Sequence, residues 1–482
     1  MMQVLSVASE AYPLVKTGGL GDVVGALPGA LSGHGFTVTT LMPGYPAVRA
    51  HIGDAPLAHH YPNLMGADAR LLASSINGFP LLVLDAPALF ARDGGPYGDR
   101  RGLDWPDNWR RFAALGRAAA DLASGAIPNW QFDLLHAHDW HAGLAPAYLR
   151  YAPGPGPVAP SLVTIHNMAF QGRFDVSIFP FLGLPPRAYT IDGVEYYGGV
   201  GYLKAGLASA QAITAVSPGY ASEIREPAFG MGLEGLIRTR GAEVSGILNG
   251  IDPKVWNPQS DAALAARYDS HALAMRRANK RAIESGFGLT PGDGPLFTVI
   301  SRLSWQKGMD VLAEQLDTLV ALGGRLALLG TGEVALEAKF RAAASRHPGR
   351  IAVALGYDEK LSHLLQGGAD AILIPSRFEP CGLTQLYGLA YGCVPVAART
   401  GGLGDTIIDA NEAALAQGVA TGILFDSVTN EGVANALQRA VALYTRRDAW
   451  SRMQVQGMAA DFSWHQSGAH YAELYAKLTR AA

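Results

Sequence analysis

The chain has 482 residues, 49% of them hydrophobic and 16% charged, with a formal net charge of −3. That length exceeds one ordinary core, so two or three domains are expected. With 38 basic against 41 acidic residues and no long block of one sign, neither nucleic acid nor an anionic membrane is the expected partner.

The N-terminal "MMQVLSVASEAYPLVK" lacks basic residues ahead of its apolar run and any convincing cleavage pattern, so it reads as a first strand (3–9) rather than a secretory leader. No apolar stretch reaches membrane-spanning length. The two cysteines, Cys381 and Cys393, exclude a disulfide framework and fit a reducing cytoplasm. Further strands are expected at 36–43, 133–138, 161–167 and 212–217, with a hairpin over 71–85 that turns at Asn77-Gly78, a pair favoured in type I′ turns. In the second half, strands are expected at 296–303, 325–330, 350–356, 370–376 and 394–399, separated by helical patterns such as 310–324 and 361–368.

Strand–helix alternation with near-continuous apolar strands predicts parallel sheets covered on both faces. The pattern occurs twice. The expectation is an α/β chain of two doubly wound, Rossmann-like domains, 1–245 and 246–459, with a C-terminal helix (460–482) completing the first. The join falls in "GILNGIDPKVWNP" (246–258), where periodicity fails; the Pro/Gly-rich 151–160 reads as a surface loop.

Ligands of such sheets gather beyond the carboxyl ends of strands. Lys16, Asp139 and His166-Asn167 lie there in the first half, and Arg302, Lys307, Tyr357, Glu379 and Arg399 in the second. The heptapeptide "KTGGLGD" (16–22) returns as "RTGGLGD" (399–405), so each domain carries one copy in a strand-to-helix loop. Two such loops meet one ligand only if the domains face each other across a deep cleft. In each copy, the paired glycines (Gly18 and Gly19; Gly401 and Gly402) and helix-start amides suit an anion, with Lys16 or Arg399 adding charge; a tight turn with a solvated cation explains either copy alone.

The strongest local signal is "SRLSWQKG" (301–308) with "PSRFEPCGLTQLYGLAYG" (375–392). Arg302 and Lys307 lie five apart across a loop entering a helix, which suits a diphosphate. Glu379 precedes a helix start, where a carboxylate can accept hydrogen bonds from sugar hydroxyls; a dipole-stabilised carboxylate is the plainer alternative. No D-x-D occurs, so charge on a leaving diphosphate falls to Arg302, Lys307, Lys16 and helix dipoles; no metal or cofactor is expected.

Two motifs point elsewhere. "HAHDWH" (136–141) resembles the HxHxDH signature of zinc hydrolases, but its aspartate stands one position early. "GTGEVA" (330–335) matches a dinucleotide fingerprint, but in the second strand unit of its domain. An aromatic, polar stretch at 94–112, with Tyr97, Trp105 and Trp109, suits stacking on sugar rings, although Trp109 also fits ordinary packing at a helix start.

With "KTGGLGDV", "HAHDW", "TIHN", "ILNGID", "SRLSWQKG", "PSRFEPCGLTQLYG" and "RTGGLGDT" in this order over essentially the whole length, the chain closely resembles the bacterial glycogen synthase and plant starch synthase family. The resemblance implies a GT-B fold and transfer of glucose from ADP-glucose to the non-reducing 4-OH of an α-1,4-glucan such as glycogen, with retention of configuration. It implies catalytic roles for Asp139, His166, Glu379, Arg302 and Lys307. Donor contacts are implied at Lys16, Gly18, Gly19, Asn167, Gly330 and Tyr357, the last packing on adenine. Others are Cys381, Gly382, Leu383, Thr384, Thr400 and Gly401. Acceptor contacts are expected at Tyr97, Trp105 and Asp22. Tyr387 stands where many retaining GT-B enzymes carry a second glutamate, as in the glycogen synthase branch. The alternatives are a zinc hydrolase using the "HAHDWH" histidines and an inactive glucan-binding protein of the same fold.

Overall fold

A computed structural model describes residues 1–481. The chain forms two compact units: Met1–Asn249 together with the C-terminal segment from Trp464, and Gly250–Ser463.

In the first unit the strands are β1 (Met2–Val7), β2 (Phe36–Pro43), β3 (Leu57–Leu64), β4 (Ala67–Ile76), β5 (Phe79–Asp85), β6 (Leu134–His138) and β7 (Ser161–Ile165). They continue with β8 (Arg173–Phe174), β9 (Glu195–Tyr196), β10 (Gly199–Gly201), β11 (Ala212–Ala215) and β12 (Val244–Gly246). Nine of them form one sheet in the order β12-β11-β7-β6-β1-β2-β5-β4-β3, parallel except at its β5-β4-β3 edge, while β8, β9 and β10 make a small separate sheet. The central strands bury both faces, which explains why their sequences are largely apolar and do not alternate with exposed polar residues; polar residues among them such as Ser6, His136, His138 and Thr164 are buried too. The hairpin turns at Asn77 and Gly78, both at positive φ (52° and 83°), as a type I′ turn requires. The helix Trp464–Ala481 packs Tyr471 and Tyr475 against Val4, Leu27, Leu31 and Leu134, so the end of the chain closes the first unit's core.

The second unit holds β13 (Leu296–Ile300), β14 (Arg325–Gly330), β15 (Ile351–Leu355), β16 (Ala371–Ile374), β17 (Val394–Ala398) and β18 (Ile423–Phe425), all parallel, in the order β15-β14-β13-β16-β17-β18. Alternate residues feed two cores: Phe297, Val299, Leu326 and Leu328 face one side, and Leu296, Ala327, Leu329 and Ile372 the other. The helix expected at 310–324 is two, Met309–Glu314 and Leu316–Ala321, separated at Gln315, where φ is −99°.

In each of the two large sheets the chain switches to the other side of its first strand, between β1 and β6 in one unit and between β13 and β16 in the other. Crevices form at such switch points, at the carboxyl ends of the strands.

Candidate active site

Beyond β1, the loop 16–22 leads into the helix Gly19–Ser32. Gly18 is its N-cap, in extended backbone, and no side chain caps it, so its first amides are left for another partner. A Cβ on Gly18 would meet nothing within 4 Å. Lys16 pairs with Asp22 at 2.7 Å. Beneath the loop lies a residue that the sequence reading passed over. The buried Glu10 accepts hydrogen bonds from the Thr17 hydroxyl (2.7 Å) and amide, and from the Tyr97 hydroxyl. The Tyr97 hydroxyl also bonds Ser9 (2.8 Å), and its ring stacks on His141 with centroids 4.5 Å apart. Tyr97 thus reaches the loop through Glu10. Trp105 donates its indole N–H to the Gly95 carbonyl and lies under the Arg92 guanidinium, bracing its own loop; Trp109 sits in the helix Asn108–Ala123 with Phe181 beside it.

At the ends of β6 and β7, Asp139 takes positive φ (56°), a costly geometry for a side-chain-bearing residue. It aims its carboxylate at the backbone amides of His166 (2.7 Å) and Asn167. Burial pushes the Asp139 carboxyl up to about 7, against the pull of those two amides. The His166 side chain bonds His138, and His138 bonds Ser6, while His136 is held between Tyr475 and Thr164 at 2.6 Å each. Burial lowers His166 and His136 to about 3, and holds His138 and His141 well below the ordinary histidine range, so all four are neutral near pH 7. The "HAHDWH" histidines are spent on hydroxyls, rings and each other. Among the described residues no group of three His, Cys, Asp or Glu is arranged to hold a metal, so the zinc-hydrolase alternative gains no support.

In the second unit, Arg302 and Lys307 follow β13 and Glu379 follows β16, across the switch point. Lys307 Nζ bonds both Glu379 oxygens, at 2.8 and 2.6 Å, and Ser376 donates a further hydrogen bond to the same carboxylate. Arg302 is exposed and forms no ion pair among the described residues. Cys381, Gly382 and Leu383 run into the helix Thr384–Tyr391, whose start has no side-chain cap; Gly382 takes φ of 71°. Tyr357, after β15, is 74% exposed and touches Glu359 through its hydroxyl. A Cβ on Gly330 would stand 2.0 Å from the Ser301 carbonyl, so this glycine lets β14 pass close to the Arg302 loop.

The second heptapeptide differs from the first in use. A Cβ on Gly401 would lie 2.1 Å from the Glu379 carbonyl, and one on Gly402 2.1 Å from that of Cys381. Thr400, as N-cap of Gly401–Thr406, starts this packing. Arg399 turns away to Asp426 (2.8 Å) and Asp409 (4.0 Å) instead of offering free charge. The second copy therefore buttresses the Glu379–Gly382 loop, whereas the first leaves open space above its glycine.

Residues 3–239 match the family model described as starch synthase catalytic domain, and 281–454 that described as glycosyl transferases group 1. The chain is 63% identical to glycogen synthase of Novosphingobium aromaticivorans and 58% to glycogen synthase 1 of Rhizobium meliloti, each over 99% of both chains. Among solved structures it is similar to the catalytic domain of starch synthase IV from Arabidopsis thaliana bound to ADP and acarbose (TM-score 0.89, 30% identity, 99% of both chains). It shares its fold with sucrose-phosphate synthase from Thermosynechococcus elongatus (TM-score 0.60, 17% identity, all of both chains). Two doubly wound units of parallel sheet, switch-point loops dense in cations and carboxylates, and this likeness along the whole length establish a GT-B glycosyltransferase, and the chain belongs to the glycogen synthase and starch synthase family.

Proposed function

We propose that the chain transfers glucose from ADP-glucose to the non-reducing 4-OH of an α-1,4-glucan, with retention at the anomeric carbon. The observation that carries this reading is the β13/β16 switch point. There an exposed guanidinium, a lysine–carboxylate pair and an uncapped helix start lie on neighbouring strand ends, as a nucleoside diphosphate and its sugar demand. The relatives named glycogen synthase, and the ADP and acarbose in the similar starch synthase structure, support the choice of donor and acceptor.

On this reading the diphosphate docks on Arg302 and on the amides of Cys381, Gly382 and Leu383. It competes for Lys307, and the released Glu379 accepts hydrogen bonds from the glucose hydroxyls. As the bond from C1 to the phosphate oxygen breaks, negative charge grows on the β-phosphate. Arg302, Lys307, Lys16 and the first amides of the helix Gly19–Ser32 stabilise it. The exposed Tyr357 ring offers a face to adenine. Asp139 holds the backbone of His166 and Asn167 so that both meet the transferred sugar. The reaction runs in the cytoplasm, where Cys381 and Cys393 stay as free thiols.

Incubation with glycogen and either radiolabelled ADP-glucose or UDP-glucose tests this. Label is expected in precipitable glucan from ADP-glucose. Incorporation from UDP-glucose alone contradicts the donor choice, and incorporation from neither contradicts the reading.

A further inference from the structure

A chain of buried hydrogen bonds crosses three neighbouring strands of the first sheet. The Ser6 hydroxyl on β1 meets His138 Nε2 at 3.1 Å, and His138 Nδ1, at the end of β6, meets His166 Nε2 at 3.0 Å, just past β7. Ser6 and His138 are fully buried. Among the described residues, His138 is the only partner of the Ser6 hydroxyl, and the remaining nitrogen of His166, Nδ1, has none within the chain.

These facts set the direction of every proton in the chain. A serine hydroxyl carries one proton, and leaving it buried without an acceptor costs the full desolvation of the group. Ser6 must therefore donate, so His138 Nε2 accepts. A neutral imidazole that accepts at one nitrogen donates at the other, so His138 Nδ1–H points at His166 Nε2, which accepts in turn. His166 is then left with its proton on Nδ1. The reverse polarity strands the Ser6 proton. Burial keeps both rings neutral, which removes the alternative of an imidazolium donating at both ends. His136, whose ring lies tilted against His138 with centroids 4.0 Å apart, is occupied by Tyr475 and Thr164 and offers no competing partner.

We propose that Ser6 and His138 are positioning residues that fix the tautomer of His166, so that it faces the transferred sugar as an Nδ1–H donor to a sugar oxygen and not as a base. The functional half of this inference rests on the reading that His166 meets the donor sugar; the tautomer does not.

The tautomer is read directly by two-bond ¹⁵N–¹H correlation on protein labelled with ¹⁵N-histidine, the His166 signals being assigned by their loss in His166→Ala. A protonated Nδ1 with a bare Nε2 is expected; a protonated Nε2 overturns the proposal. In turnover, His138→Phe is expected to lose about 10–100-fold in kcat with KM for ADP-glucose changed less than about twofold. His138→Asn, whose amide N–H can donate from near the Nδ1 position, is expected to recover most of that loss. Ser6→Ala, a milder change, is expected to lose about 3–10-fold and to yield a mixed tautomer signal. If His138→Asn is as impaired as His138→Phe while both melt as cooperatively as the parent, or if Ser6→Ala leaves a single protonated Nδ1, the chain does not set the tautomer. Parental activity in His166→Ala instead overturns the site reading on which the functional half stands.

Discussion

Lys307 grips Glu379 through both carboxylate oxygens, at 2.8 and 2.6 Å, while its motif partner Arg302 stands exposed, with no ion pair among the described residues. Two cations five residues apart therefore differ in their surroundings. Substituting Arg302 removes only a charge awaiting an anion; substituting Lys307 also strands a carboxylate that is 9% exposed.

Arg302→Ala is expected to lose roughly 10²–10⁴ in kcat, from about 3–5 kcal/mol of transition-state stabilisation, with an unchanged melting temperature. Lys307→Ala should lose similar activity and also up to about 3 kcal/mol of stability. Adding Glu379→Gln to Lys307→Ala should recover the stability and none of the activity. Equal melting temperatures for the two single variants contradict this account of the pair.

The two heptapeptides should respond in opposite ways to an added methyl group. Gly402→Ala drives a Cβ into the Cys381 carbonyl, and Gly401→Ala adds a positive φ (43°) to a similar clash, so each should cost about 1–3 kcal/mol and displace the loop at Glu379. Gly18→Ala meets open space in extended backbone and should leave the melting temperature nearly unchanged. If a donor phosphate approaches there, the KM for ADP-glucose rises nonetheless. Thermal melts with donor titrations separate the two effects.

Asp139 gives a pH signature. Its folded pKa, near 7, lies above the ordinary 3.8, so between those values the folded state binds more protons than the unfolded one, and this group's contribution falls as pH rises. The four buried histidines act oppositely: their folded values lie below 6.5, so they favour the folded state less as pH drops beneath it. Comparing Asp139→Asn with the parent cancels the histidine contribution. The stability gain of the variant should widen from pH 5 to pH 7.5, reaching about 2–4 kcal/mol. A gap independent of pH contradicts the assignment.

Tyr97 was expected to stack on acceptor sugars. The structure engages its hydroxyl with Glu10 and Ser9 and one ring face with His141. Through Glu10 and Thr17 that hydroxyl braces the Lys16 loop. Tyr97→Phe should therefore raise KM for ADP-glucose, roughly 3–10-fold for one lost charge-assisted hydrogen bond, with half-saturating glycogen moving less than twofold. A change confined to glycogen favours stacking instead.

Most of the parallel strands were legible because each is a short, largely apolar run flanked by turn residues, and the Asn77-Gly78 turn because its backbone geometry selects those residues; the three-residue parallel strands β12 and β18 were too short to show such a run. The outer strand β3 was not legible either: it lies at the sheet edge, where His59, His60 and Pro62 need no buried face. The break at Gln315 escaped because apolar spacing continues through it. Within the site, the cations and Glu379 announced themselves by spacing after strands. Glu10 did not, since its partners Thr17 and Tyr97 are brought to it by folding across 7 and 87 residues. Arg399 looked like a second anion ligand because its heptapeptide copies the first, and only the fold shows Asp426 taking its charge.

The measurement that tests the central claim most directly follows one glucosyl transfer in time by ¹H NMR, with ADP-glucose and maltoheptaose as substrates. The account predicts ADP release matched by growth of an α-anomeric signal at the non-reducing end, in an α-1,4 linkage, abolished together in Arg302→Ala. A β-anomeric product, or ADP release matched by free glucose in place of chain growth, would contradict it.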